Sequence, residues 1–161
     1  MLRRRQLLAA SATSLPLFLA LSGCREPAVL AGPPPLSADV RVLFTAVTDE
    51  QNLISLYKRT MASYSALAPA LAPLLAEHDA HLAQLRARII EPPGKTVPAR
   101  VTSKPPIPGT RAAAAALLRS AEQAASTTQL RRIAAAPPSL AQLYASIAAS
   151  EATHVTALDR V

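Results

Sequence analysis

Residues 139–160 read SLAQLYASIAASEATHVTALDR, and the spacing within them decides what kind of fold the chain adopts. Leu140, Tyr144, Ile147, Glu151, His154 and Leu158 follow one another in steps of four and three. Residues three and four apart stack along one side of an α-helix, so this rhythm gives a single face. Two members of that face are ionisable. Glu151 and His154 therefore point where the leucines point, toward whatever the helix packs against. Pro137-Pro138 precedes the stretch, and Ser139 with Gln142 makes a capping-box pattern, which together predict a helix over 139–160.

The same rhythm recurs upstream. Val40, Leu43, Val47, Glu50, Ile54, Tyr57 and Met61 alternate steps of three and four, and Leu67, Leu71, Leu74, His78, Leu82, Leu85 and Ile89 form a second stripe with His81 beside it. Leu118, Glu122, Ser126 and Ile133 mark one side of an alanine-rich segment whose register is open. Thr110, after Pro108-Gly109, is a plausible N-cap. Helices are expected at 39–63, 66–91, 110–136 and 139–160. Pro69 and Pro73 must sit in or near the first turn of the second helix or kink it. β-Branched and aromatic residues never alternate for long, so strands are not expected.

The connections arrange these helices. A few residues around Tyr64 join the first pair, and Pro137-Pro138 joins the second, so each pair is an antiparallel hairpin. Between them Pro92 to Gly109 is rich in proline and spans 18 residues. In an extended proline-rich form it reaches roughly 55 Å, whereas a 25-residue helix is about 37 Å long. The segment is long enough to return along the whole bundle and start the third helix parallel to the second. The expected fold is all-α: a four-helix bundle of two antiparallel hairpins joined by a long proline-rich crossover. A plain up-down bundle with a loose loop is the alternative.

The helix midpoints fall near residues 51, 78, 123 and 150, within about one residue of Glu50, His78, Glu122 and Glu151. Midpoints of packed helices share one level, whichever way each helix runs. Each helix thus delivers an ionisable group to one layer, where an unpaired charge is costly unless it pairs or binds metal. Tyr57 and Tyr144 each lie seven residues from a central Glu, about 10 Å along the axis, and read as core aromatics with a hydroxyl partner. Asp79 and the arginines at 86, 88, 131 and 132 read as solvated faces.

Glu50, the run Glu77-His78-Asp79-Ala80-His81, Glu122 and Glu151-x-x-His154, one set per helix, resemble the ferritin-like superfamily. Together with the N-terminal features below, they resemble more narrowly the ferritin-like lipoproteins of unknown function in actinobacteria. The resemblance covers residues 39–161. It implies a site in which a Glu from each of two helices and a Glu-x-x-His from each of the other two hold two metal ions. Glu50 and Glu122 would be the single ligands, and Glu151 with His154 one complete pair. Helix two departs from the pattern, because the residue three beyond Glu77 is Ala80. Glu77 with His81 and His78 with His81 both remain open. Histidine-rich donor sets suit zinc, copper or nickel as well as iron, so the cofactor expected is a transition metal (iron, manganese, zinc or copper).

The N-terminus supplies an address. Arg3, Arg4 and Arg5 precede an apolar stretch from Leu7 to Leu21, and Leu21-Ser22-Gly23-Cys24 resembles a lipobox. Arg4-Arg5-Gln6-Leu7-Leu8 resembles a twin-arginine signal. Residues 1–23 are expected to be a signal peptide, Cys24 the lipidated residue, 24–38 a proline-rich tether and 39–161 the bundle. The chain would then be exported and lipid-anchored to the outer face of the cell membrane. Cys24 is the chain's one cysteine, so no internal disulfide forms. Loss of the three signal arginines leaves 14 of 17 Lys+Arg against 10 Asp+Glu, a net charge of +4. With scattered basic residues, three tyrosines and two phenylalanines, nucleic acid is not an expected partner. No feature specifies a protein partner or a homodimer. There is no glycine-rich phosphate loop and no nucleophile-plus-base arrangement, so no enzyme class is assigned. Two functions are expected: a lipoprotein whose bundle binds one or two metal ions through Glu50, Glu77, His78, His81, Glu122, Glu151 and His154, or a non-catalytic envelope lipoprotein whose central layer is structural and whose bundle binds a partner or small ligand.

Overall fold

Ser37 opens the first helix, α1 (Ala38–Ser63), its hydroxyl accepting the Val40 N–H at 3.3 Å. The structure, a computed structural model, describes residues 37–90 and 104–161. The signal segment, Cys24, nearly all of the tether and residues 92–103 of the crossover lie outside the described residues. A short 3-10 turn at Ser65–Leu67 leads into α2 (Ala68–Ala87), followed by α3 (Arg111–Ile133) and α4 (Pro138–Leu158). Among the described residues the secondary structure is helical throughout, with no strand.

The local chemistry explains most boundaries. Thr110 caps α3 as expected, accepting the Ala113 N–H at 3.2 Å. Pro69 occupies the first turn of α2, where its missing N–H costs no helical bond, and Pro73 lies inside the helix on its exposed side. The capping box expected of Ser139 and Gln142 does not form. Pro138 is already the first helical residue, since proline's fixed φ suits that position and its missing donor is not needed there, so Ser139 falls inside the first turn.

Long-range contacts fix the direction of each helix. Tyr64, at the end of α1, donates its hydroxyl to the Pro108 carbonyl at 2.6 Å, just ahead of α3. Asp49, in the first half of α1, pairs with Arg132 at the end of α3. These helices are antiparallel. Leu67, Leu71 and Leu74 of the turn and early α2 pack with Leu118 of early α3 and Leu158 at the end of α4. Leu82 and Leu85 of late α2 pack with Leu43 and Ala46 of early α1 and Leu143 and Tyr144 of early α4. Thus α2 and α3 run parallel, and α2 ends at the pole opposite the one where α3 begins.

Two apolar clusters result, one at each pole, and they enclose a different kind of layer. Glu50, His78, Glu122 and Glu151 are each fully buried between them, and His154 is 1% exposed. Four helices bring these groups to one level, as the midpoint arithmetic implies.

Candidate metal centre

His78 sits at the centre of the layer. Its Nδ1 lies 2.9 Å from Glu50 Oε2 and its Nε2 lies 2.7 Å from Glu122 Oε1. A carboxylate only accepts hydrogen bonds, so both ring nitrogens donate, and the ring is an imidazolium. Burial works against that charge, but the hydrogen bonds to Glu122 and Glu50 outweigh it and lift the pKa to about 10. The rings of Tyr57, His81 and His154 pack around His78, at centroid distances of 5.1, 5.8 and 4.9 Å.

Each carboxylate bonded to His78 meets a second imidazole. His81 Nδ1 is 3.4 Å from Glu50 Oε1, and His154 Nδ1 is 3.5 Å from Glu122 Oε1. Both are too long to be good hydrogen bonds. Glu122 also accepts the Tyr57 hydroxyl at 2.6 Å. Burial tends to raise the Glu122 pKa, yet contact with His154, His78 and Tyr57 holds it down to about 2. Glu50 is lowered in the same way by His78 and His81, against its own burial. The Tyr57 hydroxyl moves upward through burial and the adjacent Glu122 charge.

Glu151 is treated differently. Neither of its oxygens has a well-formed hydrogen bond. Burial first, then the Glu50 and Glu122 charges, push its pKa up to about 8. Gln129 of α3 offers weak help: its carbonyl accepts from Arg132 at 2.9 Å, which leaves its amide nitrogen for the interior.

Glu77 stands apart from the layer. Its side chain is 53% exposed, and Oε2 accepts from Ser150 Oγ at 2.7 Å and from His154 Nε2 at 3.0 Å. It therefore grips the outer nitrogen of a histidine whose inner nitrogen faces Glu122. One residue further along, a 100° turn of the helix carries His78 into the centre instead.

The sequence-derived residues divide accordingly. Glu50, His78 and His81 form one group whose donor atoms all lie within 4.8 Å of one another, and His78, Glu122 and His154 form another. Glu151 shares the layer and its field, and Glu77 touches it from outside. Sequence reading missed Gln129, Ser150 and the bond from Tyr57 to Glu122. Gln129 lies two turns beyond Glu122, and Ser150 one turn before His154, which is the signal that would have found them. Two other expectations need correction. Tyr144 is a core aromatic, but its buried hydroxyl has no hydrogen-bond partner, because its ring is held among the apolar side chains of the cluster at the α4 start. Arg132 is not a solvated face: its side chain is 9% exposed and spans Asp49 and Gln129, because α1 and α3 close over it.

The donor chemistry fits a transition metal. Among the described residues, eight buried side-chain polar atoms lack a hydrogen bond. Six are in this layer: Glu50 Oε1, His81 Nδ1, Glu122 Oε2, His154 Nδ1 and both oxygens of Glu151. Carboxylate oxygens and imidazole lone pairs at one level are ligand atoms for zinc, copper, iron or manganese. A surface hollow of about 660 Å³ along α3 and α4, beside Arg119, Gln123, Thr127 and Asp159, includes none of them. No protein-family model, no curated protein and no solved structure matches the chain.

Proposed function

We propose that this chain is an exported, lipid-anchored protein of ferritin-like type whose bundle binds transition-metal ions in its central Glu/His layer. One observation carries the metal reading: six of eight buried polar atoms without hydrogen bonds converge on that layer. Buried polar atoms are normally satisfied, so a concentration of exceptions at potential ligands points to something they bind. Glu50, His81, Glu122, His154 and Glu151 would hold metal, with His78 between the two groups and Glu77 orienting His154 from outside.

The ferritin-like assignment draws support from helix direction. Two hairpins with α2 parallel to α3 require a connection from pole to pole, which a proline-rich segment of 18 residues can span. Export and anchoring rest on the N-terminal basic, apolar and lipobox pattern ending at Cys24. No described helix is long and apolar enough to cross a membrane.

A second reading has its own observation. His78 donating to Glu50 and Glu122 at once ties three helices by charge-assisted hydrogen bonds, able to fix helix register with no metal, and the bundle would then serve to bind a partner or small ligand. Elemental analysis of the protein purified anaerobically, with melting measured with and without chelator, decides between them. Metal binding predicts at least one ion per chain and a melting temperature that falls on chelation. About 2.7 kcal/mol of stabilisation is expected at ligand one hundred times over its Kd. A metal-free protein whose melting ignores added iron, manganese, zinc and copper would establish the network reading instead.

A further inference from the structure

We infer that His78 is a bridging ligand, one ring nitrogen to each of two metal ions. This rests on the metal-binding reading above and concerns how the two groups are joined.

The geometry begins with a shared residue. The two donor groups, Glu50–His78–His81 and His78–Glu122–His154, each combine one carboxylate with two imidazoles, and His78 belongs to both. It faces them with different atoms, Nδ1 toward Glu50 and Nε2 toward Glu122. His78 is the one residue that belongs to both donor groups. The lone pairs of an imidazole ring point away from each other in the ring plane, so two ions bound to it do not compete for space.

The distances agree with coordination. Metal–nitrogen and metal–oxygen bonds of about 2.0–2.2 Å place neighbouring donors about 2.9 Å apart at a right angle and about 3.4 Å apart in a tetrahedron. The four nitrogen–oxygen separations here are 2.9 and 3.4 Å in the Glu50 group and 2.7 and 3.5 Å in the Glu122 group. In each group all three donor atoms lie within 4.8 Å of one another, close enough for one ion to gather them once the bridging protons leave. Three flanking rings fix the His78 ring between them.

Binding is a proton-for-metal exchange. As each ion takes a ring lone pair, the proton on that nitrogen passes to solvent, so His78 goes from imidazolium to imidazolate and no electron moves. Both ions then share one delocalised anion, which couples them electronically. A carboxylate bridge would also couple them, but that coupling would survive removal of the imidazole, and separate sites would not couple at all.

Copper(II) reads this directly. The full chain, stripped of metal at neutral pH, is loaded with copper(II) and its copper content compared with the double-integrated electron paramagnetic resonance signal. Two copper ions per chain with a signal that, near liquid-helium temperature, accounts for only a small fraction of them is the expected result, because antiferromagnetic exchange through imidazolate leaves the pair in a silent singlet ground state. In His78→Gln the signal should account for all the copper that remains bound. One ion per chain, or two ions with full signal in the unaltered chain, would overturn the bridge and leave the metal reading standing. Failure to bind copper, zinc, iron or manganese would overturn both. Should His78→Gln not fold, judged by its circular dichroism, copper X-ray absorption of the unaltered chain decides: a copper–copper distance of about 3.5–4 Å, that of a close pair, would overturn the imidazolate bridge, and a silent pair without it supports the bridge.

Discussion

His154 and Glu77 are joined across the α2–α4 seam, Nε2 to Oε2 at 3.0 Å, and the join sets which nitrogen of His154 is free. Glu77 is ionised, its pKa lowered by Ser150 and His154, so it can only accept and Nε2 must carry the proton. Nδ1 is then the ring nitrogen left to face Glu122 and to take a metal. The partner of a ligand thus determines the ligand's tautomer. Glu77→Gln keeps the size of the side chain but removes the charge, and its amide can leave His154 in the other tautomer. Metal affinity measured by competition with a coloured chelator should fall about 10–100-fold. Because Glu77 is half exposed, melting of the metal-free protein should barely move; unchanged affinity would remove Glu77 from the site.

The layer also dictates an unusual response of the metal-free protein to pH. Glu122 and Glu50 have lowered pKa values, so their contribution is present above pH 4.5 and is lost as pH falls below it, in the case of Glu122 toward about 2. His78 is raised from 6.5 to about 10, so its contribution is complete below pH 6.5 and lost as pH rises through 10. Glu151 is raised from 4.5 to about 8, so folding is increasingly penalised between those values. Stability should therefore peak near pH 4.5, decline from there, and decline more steeply above about pH 6.5. Thermal melting of chelator-treated protein across pH 3–10 tests this. Glu151→Gln should flatten the decline between 4.5 and 6.5 and lessen it up to 8, and a plateau in the unaltered protein from pH 6 to 9 would contradict the assignment.

Much of this layer is legible in the sequence because helical periodicity and depth along a helix are both readable from spacing. Glu50, Glu122, Glu151 and His154 follow from stripes and midpoints. What spacing does not supply is rotation of one helix against another. The α2 stripe passes through His78 with Glu77 at its edge, but either could join His81 in a ligand set by spacing alone, and it is packing against α1 and α3 that seats His78 between Glu50 and Glu122 and leaves Glu77 at the seam. Asp49 and Arg132 lie 83 positions apart, so their pairing depends on the α1–α3 register. The alanine-rich start of α3 gives no stripe at all, yet Ala114 and Ala115 are buried while Ala112 and Ala113 are exposed.

The two buried tyrosines should behave oppositely when their hydroxyls are removed. Tyr57 donates to Glu122, so Tyr57→Phe deprives a buried carboxylate of a donor and should destabilise by about 1–3 kcal/mol. Tyr144 buries a hydroxyl with no partner, so Tyr144→Phe should be neutral or stabilising by up to about 1 kcal/mol. Urea unfolding of the two variants at pH 6 compares them directly. Equal losses would mean that Tyr144 has a partner in solution.

The N-terminal reading predicts separable defects in export and anchoring. Cys24 is the chain's one thiol, so lipidation has no alternative site. Cys24→Ala should abolish incorporation of labelled fatty acid. A single acyl chain holds a protein only marginally, whereas two or more hold it stably, so the multiply acylated form should pellet with membranes and resist a salt wash. Replacing Arg4 and Arg5 together by lysine should block export if the twin-arginine route is used, because that signal is read as an arginine pair and not as positive charge. The exported fraction, measured by protease accessibility in intact cells, should then fall while fatty-acid labelling of the remaining surface protein persists. Normal export of the Arg4→Lys, Arg5→Lys chain would redirect it to the general secretory route, where proteins cross unfolded and acquire metal only after crossing. The central layer would then fill from the envelope's own metal pool, and metal content should follow the metal supplied outside the cell.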